Sequence, residues 1–194
     1  MMEKKSEDFG KGEERASIAM AANLEESAFK SALQQAEEAR RYAQGEKQDD
    51  IERDLMHSLT AVVMANVCLE AYINQIAALR IREIGRKEQW ERCERLPLPS
   101  KWLEVTRLTT DTHQTFDEYQ EPFSSFRELV RLRNYAVHYK MEFKGPCGRR
   151  GPYMLTEAHA KLNAKEATKA VETVRNTIGK FHQFDLSKPP TWIA

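Results

Sequence analysis

No uninterrupted apolar run of about 18 residues occurs in this 194-residue sequence, so no membrane span is expected. The first residues are charged and lack an apolar segment, so no secretory signal is expected and the expected location is the cytoplasm. There is no charge excess either: 30 Lys and Arg balance 30 Asp and Glu. Proteins that coat nucleic acid non-specifically are strongly basic, so any RNA contact must come from a local patch. Cysteine is scarce. Cys68, Cys93 and Cys147 are odd in number and far apart, which excludes a paired framework and a Cys-x-x-Cys zinc site and implies reduced thiols. Also missing are an internal repeat, a Gly-rich phosphate loop, a Ser nucleophile motif and a helical His-Glu-x-x-His pair. No carboxylate cluster suits catalytic Mg²⁺, so neither metal nor cofactor is expected.

What is present reads as one helical domain. Hydrophobic residues make up 41% and charged ones 31%, enough for a core in a chain of this length. The expected fold is all-α, a bundle of about five helices. Residues 1–14, rich in Lys, Glu, Asp and Gly, are expected to be a disordered tail; 15–182 form the domain; 183–194 form a second tail. From 15 to 44, Ala21, Leu24, Ala28, Ala32, Ala36, Ala39 and Ala43 make a stripe of small residues suited to close packing, stopped at Gly45.

Asp49 or Asp50 caps the next helix, which runs to about Ile84 and carries Leu55, Leu59, Val62, Leu69, Ile73 and Ile76 at helical spacing. Asn66 lies on that stripe, with Glu70 and Asn74 beside it. These polar groups either tie this helix to a neighbour or support a site elsewhere. Gly85 and the charged run 86–95 end the helix or start a short one. Pro97 and Pro99 break the chain, Ser100 caps a helix to about Leu108, and Trp102 and Leu103 anchor it. Thr109–Thr115 reads as a loop, and Pro122 suits the first turn of a helix over 122–139. Alternation around Gly145–Pro152 suggests a short β-hairpin near 139–156, with Arg149 and Arg150 either touching phosphate or solvated. Asn163 and Glu166 form a capping-box start for a last helix striped by Ala167, Val171, Val174, Ile178 and Phe181. His182 ends it in a structural role, His57, His113 and His159 have no partner pattern, and Trp192 docks on this chain or a neighbour.

One stretch carries chemistry. In the 122–139 helix, Phe123, Phe126, Leu129, Val130 and Val137 form the apolar stripe, and Arg133 falls on it where a hydrophobe belongs. Asn134 and His138 stack four residues apart beside it. Unpaired burial of such groups costs roughly several kcal/mol, so they need partners, a cleft or a ligand. The pattern Arg-Asn-x-x-x-His occurs once, against about 0.01 occurrences expected by chance from the 16 Arg, 6 Asn and 5 His of the chain.

Arg133-Asn-Tyr-Ala-Val-His138 at the end of a long helix resembles the signature of the HEPN superfamily (higher eukaryotes and prokaryotes nucleotide-binding). Ala65–Gln75, with Glu70 and Asn74, is similar to the long Glu- and Asn-bearing helix of many members, and Leu96–Trp102 also suits the family. The resemblance implies an all-α bundle and metal-independent endoribonuclease activity, in a toxin or antiphage effector. Arg133 and His138 would be catalytic, with Asn134, Glu70 and Asn74 supporting. It implies a homodimer across the motif helices and an antitoxin or nucleotidyltransferase as a further partner; Tyr135 and Tyr139, which flank the motif, are candidates for the dimer contact. In toxin-type relatives the Tyr two residues after the His is adenylylated. Here that position is Lys140, which puts that regulation in doubt and leaves Lys140, Arg149 and Arg150 as candidate RNA contacts.

Residue chemistry fits such a reaction. A neutral imidazole can take a proton from a ribose 2′-hydroxyl near neutral pH, and a guanidinium can hold two phosphate oxygens. Arg133 and His138 are five apart, roughly 140° around a helix, so a second copy would have to complete the cleft. The competing readings are a non-catalytic HEPN protein that binds nucleotide or RNA or scaffolds a partner, and a plain helical dimerisation module.

Overall fold

The alanine-rich stretch builds the first element, α1 (Leu24–Tyr42), with acids in its first turn and Arg40 and Arg41 in its last, matching the helix dipole at both ends. The structure, a computed structural model, describes residues 24–45, 47–82, 85–137 and 158–194. Ala28, Ala32, Ala36 and Ala39 are buried against the next helix, and their small size lets the two backbones approach closely. The stripe is shorter than the sequence suggests: Leu24 and Ala43 are exposed, and Ala21 lies outside the described residues. Gly45 follows, where a Cβ would collide with Asp50.

α2 (Gln48–Ala77) is the central helix and packs on α1, on α4 (Leu98–Thr109), on α5 (Phe123–Val137) and on α6 (Ala164–Phe184). Val62, Leu69, Ile73 and Ile76 are buried as the spacing predicts, whereas Leu55 and Leu59 are half-buried. Its cap is a correction. The helix starts at Gln48, Lys47 makes no side-chain cap, and Asp49 and Asp50 sit inside the first turn, where they meet the positive end of the dipole. Ala77 continues into a π-helical turn, Ala78–Arg82. Gln48–Arg82 is long and apolar enough by length and composition to cross a membrane, as the core helix of a bundle also can be, and half of its most apolar stretch is buried in the bundle.

Gly85, at φ 78, leads into α3 (Lys87–Glu94). α4 begins at Leu98 after Pro97, with Pro99 in its first turn, where a missing N–H costs nothing. Ser100 is therefore inside the helix rather than its cap, because the prolines set the start three residues earlier. Trp102 is fully buried; its indole donates to the Leu69 carbonyl at 3.2 Å, and Phe116, Phe126 and Phe181 ring it edge-on. Pro122 precedes α5, and its carbonyl accepts from Phe126 N–H at 3.1 Å, so it closes the first turn from just outside. α6 starts as predicted: the Asn163 side chain accepts from the N–H groups of Lys165 and Glu166. Its stripe, Ala167, Val171, Val174, Ile178 and Phe181, is buried throughout.

The fold is all-α. Among the described residues there are six α-helices and no strand; the hairpin expected near 139–156 lies outside them, as do residues 1–14. After α6 the chain turns back, and Trp192 packs on this chain, 5.6 Å from the Phe29 ring and 6.2 Å from that of Tyr72.

Candidate functional site

Three buried residues set the orientation of α5: Phe123, Phe126 and Leu129. They step by three, and Leu132 and Tyr135, both half-buried, continue the same row toward α6. A three-residue step drifts about 60° backward around a helix each time, so the contact line swings away from Val130, Arg133 and Val137. This corrects the expected stripe. Val137 is 53% exposed, and Arg133 stands half-buried at the edge of the packed face rather than within it.

Arg133 Nη1 donates to Asn134 Oδ1 at 3.1 Å, and Asn134 itself is exposed. Among the described residues that amide is the one acceptor placed on this guanidinium, and a guanidinium carries five N–H groups. His138, Lys140, Arg149 and Arg150 lie outside the described residues, so the structure brings together two members of the motif, Arg133 and Asn134.

The upstream residues are mostly ties between helices. Asn66 Nδ2 donates to the Val62 carbonyl on its own helix and to the Leu129 carbonyl of α5, at 2.9 and 3.3 Å. This pins α5 one turn before Arg133. Asn74 Oδ1 accepts from Lys101 Nζ at 2.8 Å, joining α2 to α4, and Glu70 is exposed on α2. Neither Glu70 nor Asn74 makes a hydrogen bond or ion pair with Arg133 or Asn134 among the described residues. Tyr135 is engaged within the chain, with Lys161 Nζ 4.4 Å from its ring centre.

Two hollows beside α5 are lined without Arg133. A groove of about 450 Å³ runs between α5 and α6, and an adjoining one of about 640 Å³ shares Ser125, Lys169 and Thr173 with it. Arg40, Arg131, Lys161, Lys165 and Lys169 line them together with four carboxylates, so the groove is close to neutral. The four-residue recurrence of Lys161, Lys165 and Lys169 is a signal in the sequence that could have pointed to it.

Histidines that lacked a partner pattern do have partners. His159 Nε2 lies 2.6 Å from buried Asp54 Oδ2, and Asp54 Oδ1 accepts from Ser58 at 2.9 Å. His57 Nδ1 lies 2.7 Å from Gln35 Oε1, with its ring stacked on Tyr42. These pairs join segments distant in the chain, which spacing cannot reveal. His182 is structural, as expected, but through side chains: Nε2 lies 2.6 Å from Tyr72 Oη and Nδ1 2.6 Å from Ser187 Oγ. Burial lowers its proton affinity, and burial raises that of the Tyr72 phenol and the Cys68 thiol, so all three stay neutral near neutral pH. Among the described residues no three His, Cys, Asp or Glu side chains are grouped to hold a metal ion.

No family model, curated protein or solved structure matches the chain.

Proposed function

We propose that the protein is a metal-independent endoribonuclease of HEPN type that works as a homodimer, in a toxin or antiphage role. The observation that carries this reading is the exposed side of Arg133. A guanidinium held at one N–H by Asn134, at the rim of a packed helix, is aimed and still able to grip phosphate. Fork geometry on two phosphate oxygens would stabilise the added negative charge of an in-line transition state. His138, in the same motif, would take the 2′-hydroxyl proton, and the RNA would supply its own nucleophile. Asn66, by fixing α5 at Leu129, would position the motif helix rather than touch substrate.

The outward residues beside the motif suit a second copy. Val137 and Asn134 face away from the bundle, so a two-fold contact there would bring two Arg/His pairs to one cleft.

The test is incubation of purified protein with mixed cellular RNA in EDTA, followed by mapping of the ends. Cleavage leaving 2′,3′-cyclic phosphate and 5′-hydroxyl ends, lost in His138→Ala, is expected. Activity abolished by EDTA, or 5′-phosphate products, would reject the mechanism. The second reading, a non-catalytic protein that binds nucleotide or RNA or scaffolds a partner, is favoured by one observation: the groove between α5 and α6 is lined by residues that do not include Arg133. Binding of RNA without cleavage would select it.

A further inference from the structure

A chain of side chains joins the end of α6 to the centre of the bundle. Tyr72 Oη lies 2.6 Å from His182 Nε2, and His182 Nδ1 lies 2.6 Å from Ser187 Oγ. Ser187 donates in turn to Asp185 Oδ2 at 2.6 Å, and Arg80 grips both Asp185 oxygens from the π-helical turn while donating to the Thr109 carbonyl. Each link uses one proton, and the arrangement closes only when His182 is neutral with its proton on Nδ1. A second proton on Nε2 would set two donors against each other. Tyr72 could then accept only by finding another acceptor for its own O–H, and its site is buried.

Beyond this chain the segment is held by the Ser187 N–H, which donates to the His182 carbonyl at 3.1 Å, and by the contacts of its last three residues. Leu186, 75% exposed and at φ 51, makes the reversing turn in a backbone conformation that suits glycine. Ser187, Lys188, Pro189 and Thr191 are exposed; Trp192 is half-buried on Phe29 and Tyr72, and Ile193 is buried. Arg175 Nε donates to the Ile193 carbonyl at 2.9 Å. So few buried contacts make this segment a unit that can open without the rest of the fold.

We propose that residues 187–194 are an acid-released strap: a proton taken up at His182 breaks the Tyr72–His182–Ser187–Asp185 chain and lifts Trp192 from Phe29 and Tyr72. The charged and titratable groups facing the imidazole are Tyr72 from α2, Arg80 from the π-helical turn and Asp185 at the end of α6. Asp185 is already neutralised by Arg80, so it cannot hold an imidazolium strongly. Glu25 of α1 is the other buried carboxyl in the region; it acts on Tyr72 and Cys68 rather than on His182.

Hydrogen exchange followed by mass spectrometry on the full chain tests this, comparing about pH 7.5 with about pH 5.5 after correction for intrinsic rates. Protection of the 186–194 peptide should fall about tenfold or more at the lower pH while the core of α2 keeps its protection. Ser187→Ala should show the low protection already at the higher pH. His182→Gln, which cannot take up the proton, should remove the pH dependence, and Glu25→Gln should leave it intact. Equal protection of the strap at both pH values overturns the proposal, as does simultaneous loss in α2. A His182→Gln chain that opens on acidification like the wild type also overturns it, and if that variant does not fold, unchanged protection in Ser187→Ala does so.

Discussion

Asn66 Nδ2 on the central helix donates to the Leu129 carbonyl of α5 at 3.3 Å, and that carbonyl is the one to which Arg133 is bound within its own helix. The Asn66 Oδ1 atom is buried, with no partner among the described residues. Asn66 thus acts as a donor, and its buried Oδ1 gains no compensating bond among the described residues. Asn66→Leu should be tolerated within about 1.5 kcal/mol, because both carbonyls keep their helical partners. Asn66→Asp, which loses the donor and buries a carboxylate against two carbonyls, should lower stability by about 3 kcal/mol or more. Urea denaturation giving equal losses for the two would count against this role.

Cleavage should depend on the motif in a graded way. His138→Ala should lower the rate by about a hundredfold or more through loss of proton transfer. Arg133→Lys should not restore what Arg133→Ala removes, since an ammonium cannot reproduce the two-oxygen grip. DNA, without a 2′-hydroxyl, should remain intact. Single-turnover rates on a labelled RNA and its DNA counterpart measure all three.

A charge on the outward face of α5 should separate copies without harming the fold. Val137→Glu is expected to shift sedimentation from dimer to monomer at micromolar concentration, with its thermal midpoint little changed. A wild type that is strictly monomeric would remove the basis for the dimer.

Stability should fall in two steps on acidification. His182 has a proton affinity lowered by burial, so the unfolded chain takes up that proton first. Its contribution is complete above the unfolded value near 6.5 and is lost as pH falls through the lower folded value. Asp185, depressed chiefly by its hydrogen bonds from Arg80, contributes above the unfolded value near 3.8 and loses that contribution only below it. Denaturation curves at several pH values should show the first loss vanish in His182→Gln and the second in Asp185→Asn.

Replacing Leu186 by Gly should raise stability by about 1 kcal/mol, because an L side chain at φ 51 is strained and this one is mostly exposed. A lower melting temperature would show that the leucine side chain supports the turn.

Local signals made much of the fold legible. The Asn163 cap, the α6 stripe, the small-residue face of α1 and the anchoring by Trp102 all follow from neighbours within two helical turns. What was hidden depends on partners far away in sequence. Whether α5 would pack along its three-step or four-step row could not be decided from α5 alone, since both rows are apolar up to Val130. The choice is made by α6 and by Asn66, and it moves Arg133 from the interior to the rim. His159 and Asp54 are 105 residues apart, beyond any motif. At the site, the sequence displays the motif, and the structure adds the tie from Arg133 to Asn134.

The π-helical turn at Ala78–Arg82 acts as a one-residue insertion written into an otherwise continuous helix. It resets the phase of everything after it, which lets Arg80 reach both the end of α4 and Asp185 at the end of α6. The register of this short segment, more than the identity of its apolar residues, therefore matters for joining three helix ends. Deleting Leu79 would restore a regular helix and rotate Arg80 off Asp185, whereas exchanging the exposed Leu79 for a polar residue would leave the junction in place.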